Sequence, residues 1–269
     1  LAGLKRLHKE AMATAILVMG SFMQDAVDFL LEREFFTTQR QDMTVSFVEA
    51  RSTAALHEIR SLPGVLNVEP LRIVPVKIRL GHIERRLGII GLDPDSELKR
   101  PLDRHGRSVT MPTHGIVMSD KLAEALGAPL GDQVTVQVLE GRRPKFELPV
   151  ESLVDDYVGT TAYMDRHMIS KMMRETDALS GAVLTTDPAH ANTLYHLLKN
   201  TPFVAAVTIK LAALRSFEKT IAENILRMRT FNLVFAMIIA FGVVYNSARV
   251  TLSERSRELA SLRVLGFTR

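Results

Sequence analysis

Thr230–Ala248 reads TFNLVFAMIIAFGVVYNSA, roughly nineteen consecutive residues without a charge. The hydrocarbon core of a bilayer is crossed by ~20 apolar helical residues, so this stretch predicts a transmembrane helix. Arg227 and Arg229 precede it and Arg249 follows. Its polar residues, Asn232, Tyr245, Asn246 and Ser247, lie near the two ends, where interfacial water or a neighbouring helix satisfies them. A core helix of a soluble protein carries a polar stripe at this length, and this one does not.

A second apolar stretch, Ala11–Met23 (AMATAILVMGSFM), is shorter. Apolar residues continue beyond Asp25 and Asp28 to Leu31, and the basic flank Leu4–Lys9 (LKRLHK) has side chains long enough to snorkel. Residues 1–10 are therefore read as a cytoplasmic flank and residues 11–31 as a first membrane helix with an outward extension. Lys5, Arg6 and Lys9 stand before the first span, and Arg249, Arg255, Arg257, Arg263 and Arg269 after the second. The positive-inside rule places both flanks in the cytoplasm. Residues 32–210 then form an extracytoplasmic domain, 211–229 a stalk helix, 230–248 the second span and 249–269 a cytoplasmic amphipathic segment.

Within the domain the pattern alternates between strand and helix. Met43–Val48 has strand composition, Ser52–Arg60 (STAALHEIR) has helical spacing, and Leu62-Pro63-Gly64 punctuates the return into an extended stretch, Val65–Leu80. The layout recurs with Ala182–Thr185, a helix over Pro188–Lys199 with proline in its first turn, Thr201-Pro202-Phe203, and Val204–Ile209. Two such units predict an α+β domain of split β-α-β, ferredoxin-like type. Between them the signals are β-rich: a strand at Leu87–Gly91, a capped helix at Ser119–Leu126, and a hairpin of Gln133–Leu139 with Phe146–Val154 around Gly141-Arg142-Arg143-Pro144.

The chain has no cysteine, which excludes disulfides, thiolate metal sites and a cysteine nucleophile. Its net charge of +4 is spread out, and only 6% of residues are aromatic, with no tryptophan. Neither a nucleic-acid groove nor a base-stacking platform is indicated. A P-loop, a G-x-S-x-G elbow and an H-E-x-x-H helix are all missing from the sequence, so no catalytic, cofactor or metal residue is assigned. Asp103, His105 and His114 read as loop polar residues, and Asp155-Asp156 as a solvated strand end. Met164, Met168, Met172 and Met173 read as packing on a helix.

The cytoplasmic stretch is more informative. Ser253 is placed to cap a short helix, Glu254 sits in its first turn, Leu259, Leu262 and Leu265 give it an apolar side, and Gly266 ends it. A basic amphipathic helix beside a membrane acts either as an anchor on anionic lipid or as a docking element for a cytoplasmic partner.

Glu254-Arg255-Ser256-Arg257-Glu258-Leu259-Ala260-Ser261-Leu262-Arg263-Val264-Leu265-Gly266 resembles the E-R-x-R-E-[LI]-A-x-L-R-x-[LI]-G signature of FtsX-like, MacB-type permeases of ABC transporters. The preceding Asn246-Ser247-Ala248-Arg249 suits the same family. The resemblance implies a multi-pass inner-membrane permease with a periplasmic core domain and at least two further spans, of which this chain covers the first half. It also implies a separate cytoplasmic ATPase docked on Glu254, Arg255, Arg257, Glu258, Leu259, Leu262, Arg263, Leu265 and Gly266, a second permease copy or half, and contact with membrane lipid. Such a subunit is not itself an enzyme; it serves export or lipoprotein release. The alternative is an extracytoplasmic sensor signalling through its second span, which would continue as a heptad-patterned helix.

Overall fold

The computed structural model describes Phe29, Leu31, residues 33–156 and residues 159–264, with side chains for most of these as far as Leu252. The expected first membrane helix, 11–31, lies outside the described residues apart from Phe29 and Leu31. After a π-helical turn, Arg33–Thr38, come β1 (Met43–Arg51), α1 (Ala54–Arg60), β2 (Val65–Leu80) and β3 (Ile83–Leu92). Then follow β4 (Ile116–Ser119), α2 (Asp120–Leu126), β5 (Gln133–Val138), β6 (Lys145–Val154), β7 (Ala162–Asp165) and α3 (Arg166–Met173). The described part ends with β8 (Leu179–Thr186), α4 (Ala191–Lys199), β9 (Val204–Ile209) and α5 (Lys210–Val264). Two units separate along the chain, Leu1–Leu214 and Arg215–Arg269.

In the first unit, β2, β8, β1 and β9 form an antiparallel sheet in the order β2-β8-β1-β9. Alternation on β1 sends Met43, Val45 and Phe47 to one face. There they meet Ala55 and Ile59 of α1, Leu194 and Leu198 of α4, Val68 and Leu184. Each large aliphatic side chain buried in this way contributes about 1.5–3 kcal/mol. Gly181 of β8 lies so close to β1 that an added Cβ would collide with the Val45 carbonyl, which explains a glycine inside a central strand. The other face, around Leu71 and Val183, is packed against Leu92, Leu98, Met111, Val117, Val154 and Tyr163.

β2 is sixteen residues long and serves twice. Its first half pairs with β8, and its second half pairs with β3 on one side and β5 on the other. β3 continues to β7, β7 to β4, β4 to β6 and β6 to β5, so these six strands close into a ring through β2. On β5, Val134, Val136 and Val138 are buried while Gln133, Thr135 and Gln137 are not. The buried set joins Val74, Val76, Ile78, Ile116, Met118, Leu148, Val150 and Met164. The space left inside, beside Ile169, Met172 and Met173, is about 10 Å³, at most one water's worth. The ring is a filled core.

The expected β-rich insertion supplies five of the six ring strands, with two revisions within it and one in the β-α-β unit that follows. β3 begins at Ile83 and forms a hairpin with β2. β4 and β7 are additional strands, and Met164 belongs to β7, so the helical methionine face consists of Met168, Met172 and Met173. α4 begins at Ala191, and Pro188 lies in the preceding turn, where the Asp187 carboxylate accepts from the Ala189 amide at 2.9 Å. That side-chain bond competes with helix initiation. Ser119 caps α2 as expected: its Oγ accepts from the Leu122 amide, and Gly127 closes the helix in the left-handed conformation (φ +67°).

Candidate functional site

α5 opens inside the first unit. The Lys210 amide donates to the Asp42 carbonyl at 2.8 Å, its Nζ donates to the Gln39 carbonyl at 3.4 Å, and its charge lies 5.5 Å from the Phe36 ring centre. Leu214 is buried. The strand leaving the domain is thus fastened beside the one entering it, as the pairing Met43↔Ile209 requires.

Within the second unit the described residues, as far as Val264, are the remainder of the same helix. α5 has 55 residues, about 80 Å at 1.5 Å per residue. Phe231, Leu233, Phe235, Ile238, Phe241 and Val244 are all exposed. Successive residues turn ~100°, and the sequence puts Ile239 and Val243 in the sector that these positions leave open, so the stretch has no polar face. The stretch is long and apolar enough to cross a membrane by length and composition. The Thr230 hydroxyl donates to the Leu226 carbonyl at 2.9 Å, which satisfies it without water. Phe241 and Tyr245, one turn apart, stack at 6.4 Å.

Of the docking residues expected from sequence, Glu254, Arg255, Arg257, Glu258, Leu259, Leu262 and Arg263 lie on helical backbone at the end of α5. Leu265 and Gly266 lie outside the described residues, so the expected stop at Gly266 does too. Ser253 does not begin a new helix, because the backbone is helical on both sides of it. No proline or glycine interrupts Val243–Val264, and Arg, Glu, Leu and Ala sustain a helix once it has formed. A serine cap acts only where the preceding backbone is non-helical.

Several polar side chains of the domain tie down loops and helix ends. Asp103 accepts from the backbone amides of Arg107 and His105 at 2.8 Å and from the Arg107 guanidinium. These donors, the Arg107 amide foremost, lower its pKa to about 2. Asp187 is lowered by the Ala189 amide and by His190. Arg104 is raised by its bond to Asp120. Among the described residues no group of three His, Asp or Glu is arranged to hold a metal; His105 is 3.8 Å from Asp103, and His114 does not join them.

Asp156 corrects the reading of Asp155-Asp156 as a solvated pair. It is 5% exposed and accepts from Tyr163 Oη at 2.9 Å and from Thr161 Oγ1. Asp155 lies 3.9 Å from Arg33. Two further buried charges escaped the sequence reading. Arg72, 3% exposed, binds Glu140 and, at 2.9 Å, Glu175. Arg166, 4% exposed in relative area, binds Asp93 at 2.6 Å and Asp177 at 3.4 Å. For Arg72 a signal existed: it is in phase with Val74, Val76 and Ile78 on one face of β2, and a charge on an apolar face requires partners.

No protein-family model matches the sequence, and no curated protein matches it. Among solved structures, the chain is similar to the extracellular domain of the noncanonic ABC-type transporter YknZ from Gram-positive bacteria. The identity is 15% and the TM-score 0.41, covering 63% of this chain and 98% of that one. It is also similar to the periplasmic region of MacB from Actinobacillus actinomycetemcomitans, at 13% identity and a TM-score of 0.41, covering 70% of this chain and 97% of that one. The chain is thus similar to periplasmic and extracellular domains of MacB- and YknZ-type ABC transporter permeases.

Proposed function

We propose that the chain is a permease subunit of an ABC transporter of export or lipoprotein-release type, which transmits motion from a separate cytoplasmic ATPase to an extracytoplasmic domain. The supporting observation is one continuous element: α5 starts on the domain, contains an apolar stretch with no polar face, and runs on into Glu254–Arg263. A helix with those three parts suits mechanical coupling across a bilayer. In this reading 11–31 and 230–248 each span the inner membrane, and residues 32–210 are periplasmic. The sheet β2-β8-β1-β9 with α1 and α4 on one face supports a ferredoxin-like unit. A sensor of two-span type is the competing reading, since an unbroken helix through the bilayer serves it equally.

The test is recovery of the ATPase with the permease from detergent-solubilised membranes. Leu262→Ala should weaken the association by about 2 kcal/mol, roughly thirtyfold, and Leu262→Glu should abolish recovery. Undiminished recovery with Leu262→Glu would remove the docking assignment. Failure of any ATPase to accompany the unaltered protein would favour the sensor.

A further inference from the structure

The sheet β2-β8-β1-β9 has two edges, and they are built differently. The outer edge of β2 carries the devices that keep strands from pairing with strangers. Pro70 lacks a donor, and the register shifts between Val65 and Asn67. The Glu69 carboxylate ties down a loop by accepting from Ser96 Oγ at 2.6 Å and from the Glu97 and Leu98 amides at 2.9 and 3.1 Å. β9 has one neighbour, β1, among the described strands. It reads Val204-Ala205-Ala206-Val207-Thr208-Ile209, with no charge and no proline, and its register shift is confined to its beginning.

The Lys210 amide donates to the Asp42 carbonyl, so by alternation Lys210, Thr208 and Ala206 turn their backbone groups toward β1. Val207 and Ile209 therefore turn theirs to the open edge. Phe203, Val204, Val207 and Ile209 are only partly buried where the helix-side core ends, and Ala206 and Thr208 are exposed on the opposite face.

We propose that this edge is a self-association surface, on which a second copy of the chain adds its own β9 in antiparallel register about a two-fold axis at Val207. Val207 then exchanges reciprocal hydrogen bonds with Val207 of the second copy, Ile209 stands opposite Ala205, Thr208 opposite Ala206, and Lys210 opposite Val204. No like charges meet, because Asn200–Ile209 contains none. The apolar rim of each copy completes the other's core. The absence of charge favours an identical strand over a charged foreign segment, and the proposal holds whether the chain is a permease or a sensor.

The chain lacks cysteine, so one introduced thiol reports its own neighbour. In membranes containing the protein, Val207→Cys should give a disulfide-linked dimer on mild oxidation. Hydrogen-bonded antiparallel partners stand ~5.5 Å apart at Cα, within disulfide reach. Thr208→Cys should give at least several-fold less, because two residues of axial offset and one strand spacing separate the thiol-bearing Cα atoms by ~8 Å. Adding Ala206→Lys and Thr208→Lys to Val207→Cys, which sets lysines opposite one another on exposed positions, should abolish the dimer without moving the unfolding midpoint. The proposal is overturned by equal yields from the two cysteines, by no dimer from Val207→Cys, by a product of a different mass, or by a dimer that survives the lysines.

Discussion

Replacing Glu140 and Glu175 together with alanine should damage the domain more than replacing the arginine they hold. Arg72 is 3% exposed, whereas the side chains of Glu140 and Glu175 are 33% and 29% exposed. With Arg72→Met the two carboxylates rehydrate where they stand, and an unbranched apolar side chain fills the space, so the cost is about 1 kcal/mol or less. Removing the carboxylates strands a cation in an apolar setting, where its Nε already lacks a partner among the described residues. Breaking a buried pair from that side costs about 3–5 kcal/mol. For a unit of this size 1 kcal/mol moves the melting temperature by roughly 2–4 °C. The double alanine variant should therefore melt about 6–20 °C lower in detergent, and Arg72→Met by less than about 4 °C. An Arg72→Met protein that melts as low as the double variant would refute the reasoning, since the pair would then be stabilising as a pair.

Ser119→Ala should cost about 2 kcal/mol in denaturant unfolding. It leaves two amides, those of Leu122 and Thr161, without the buried hydroxyl that accepts from both. Asp103 has a folded pKa below its ordinary value of 3.8, so its contribution is complete above about pH 4 and is lost as pH falls toward about 2. The Arg107 amide resonance should titrate near pH 2, and a midpoint near 3.8 would contradict the assigned hydrogen bonds.

Sequence reading succeeded where one period ran long enough to be seen. Val65–Leu80 and Val204–Ile209 were placed at their observed bounds because punctuating Pro-Gly or Thr-Pro preceded each extended run. The α2 cap was legible because Ser119 and Gly127 bracket a helical pattern. β4 (IVMS) and β7 (AYMD) were missed for a physical reason: all four residues in each are buried, so neither strand alternates. Ring closure was illegible because nothing local tells β3 to lie beside both β2 and β7. The segment around Glu254–Arg263 was found through a resemblance, and its continuity with the apolar stretch appeared only in the backbone.

The double duty of β2 sets a timetable for making the protein. Leu71 pairs with Gly181, a residue synthesised 110 positions later, and elongation proceeds at about 5–20 residues per second. For roughly 5–20 s the first half of β2 therefore exists without its ladder partner, while its second half already has β3 a few residues downstream. Over that interval the Val65–Val68 segment has no strand to pair with, until β8 has emerged. Slowing translation across the intervening ring should lower the yield of folded protein more than slowing it after β8 has emerged.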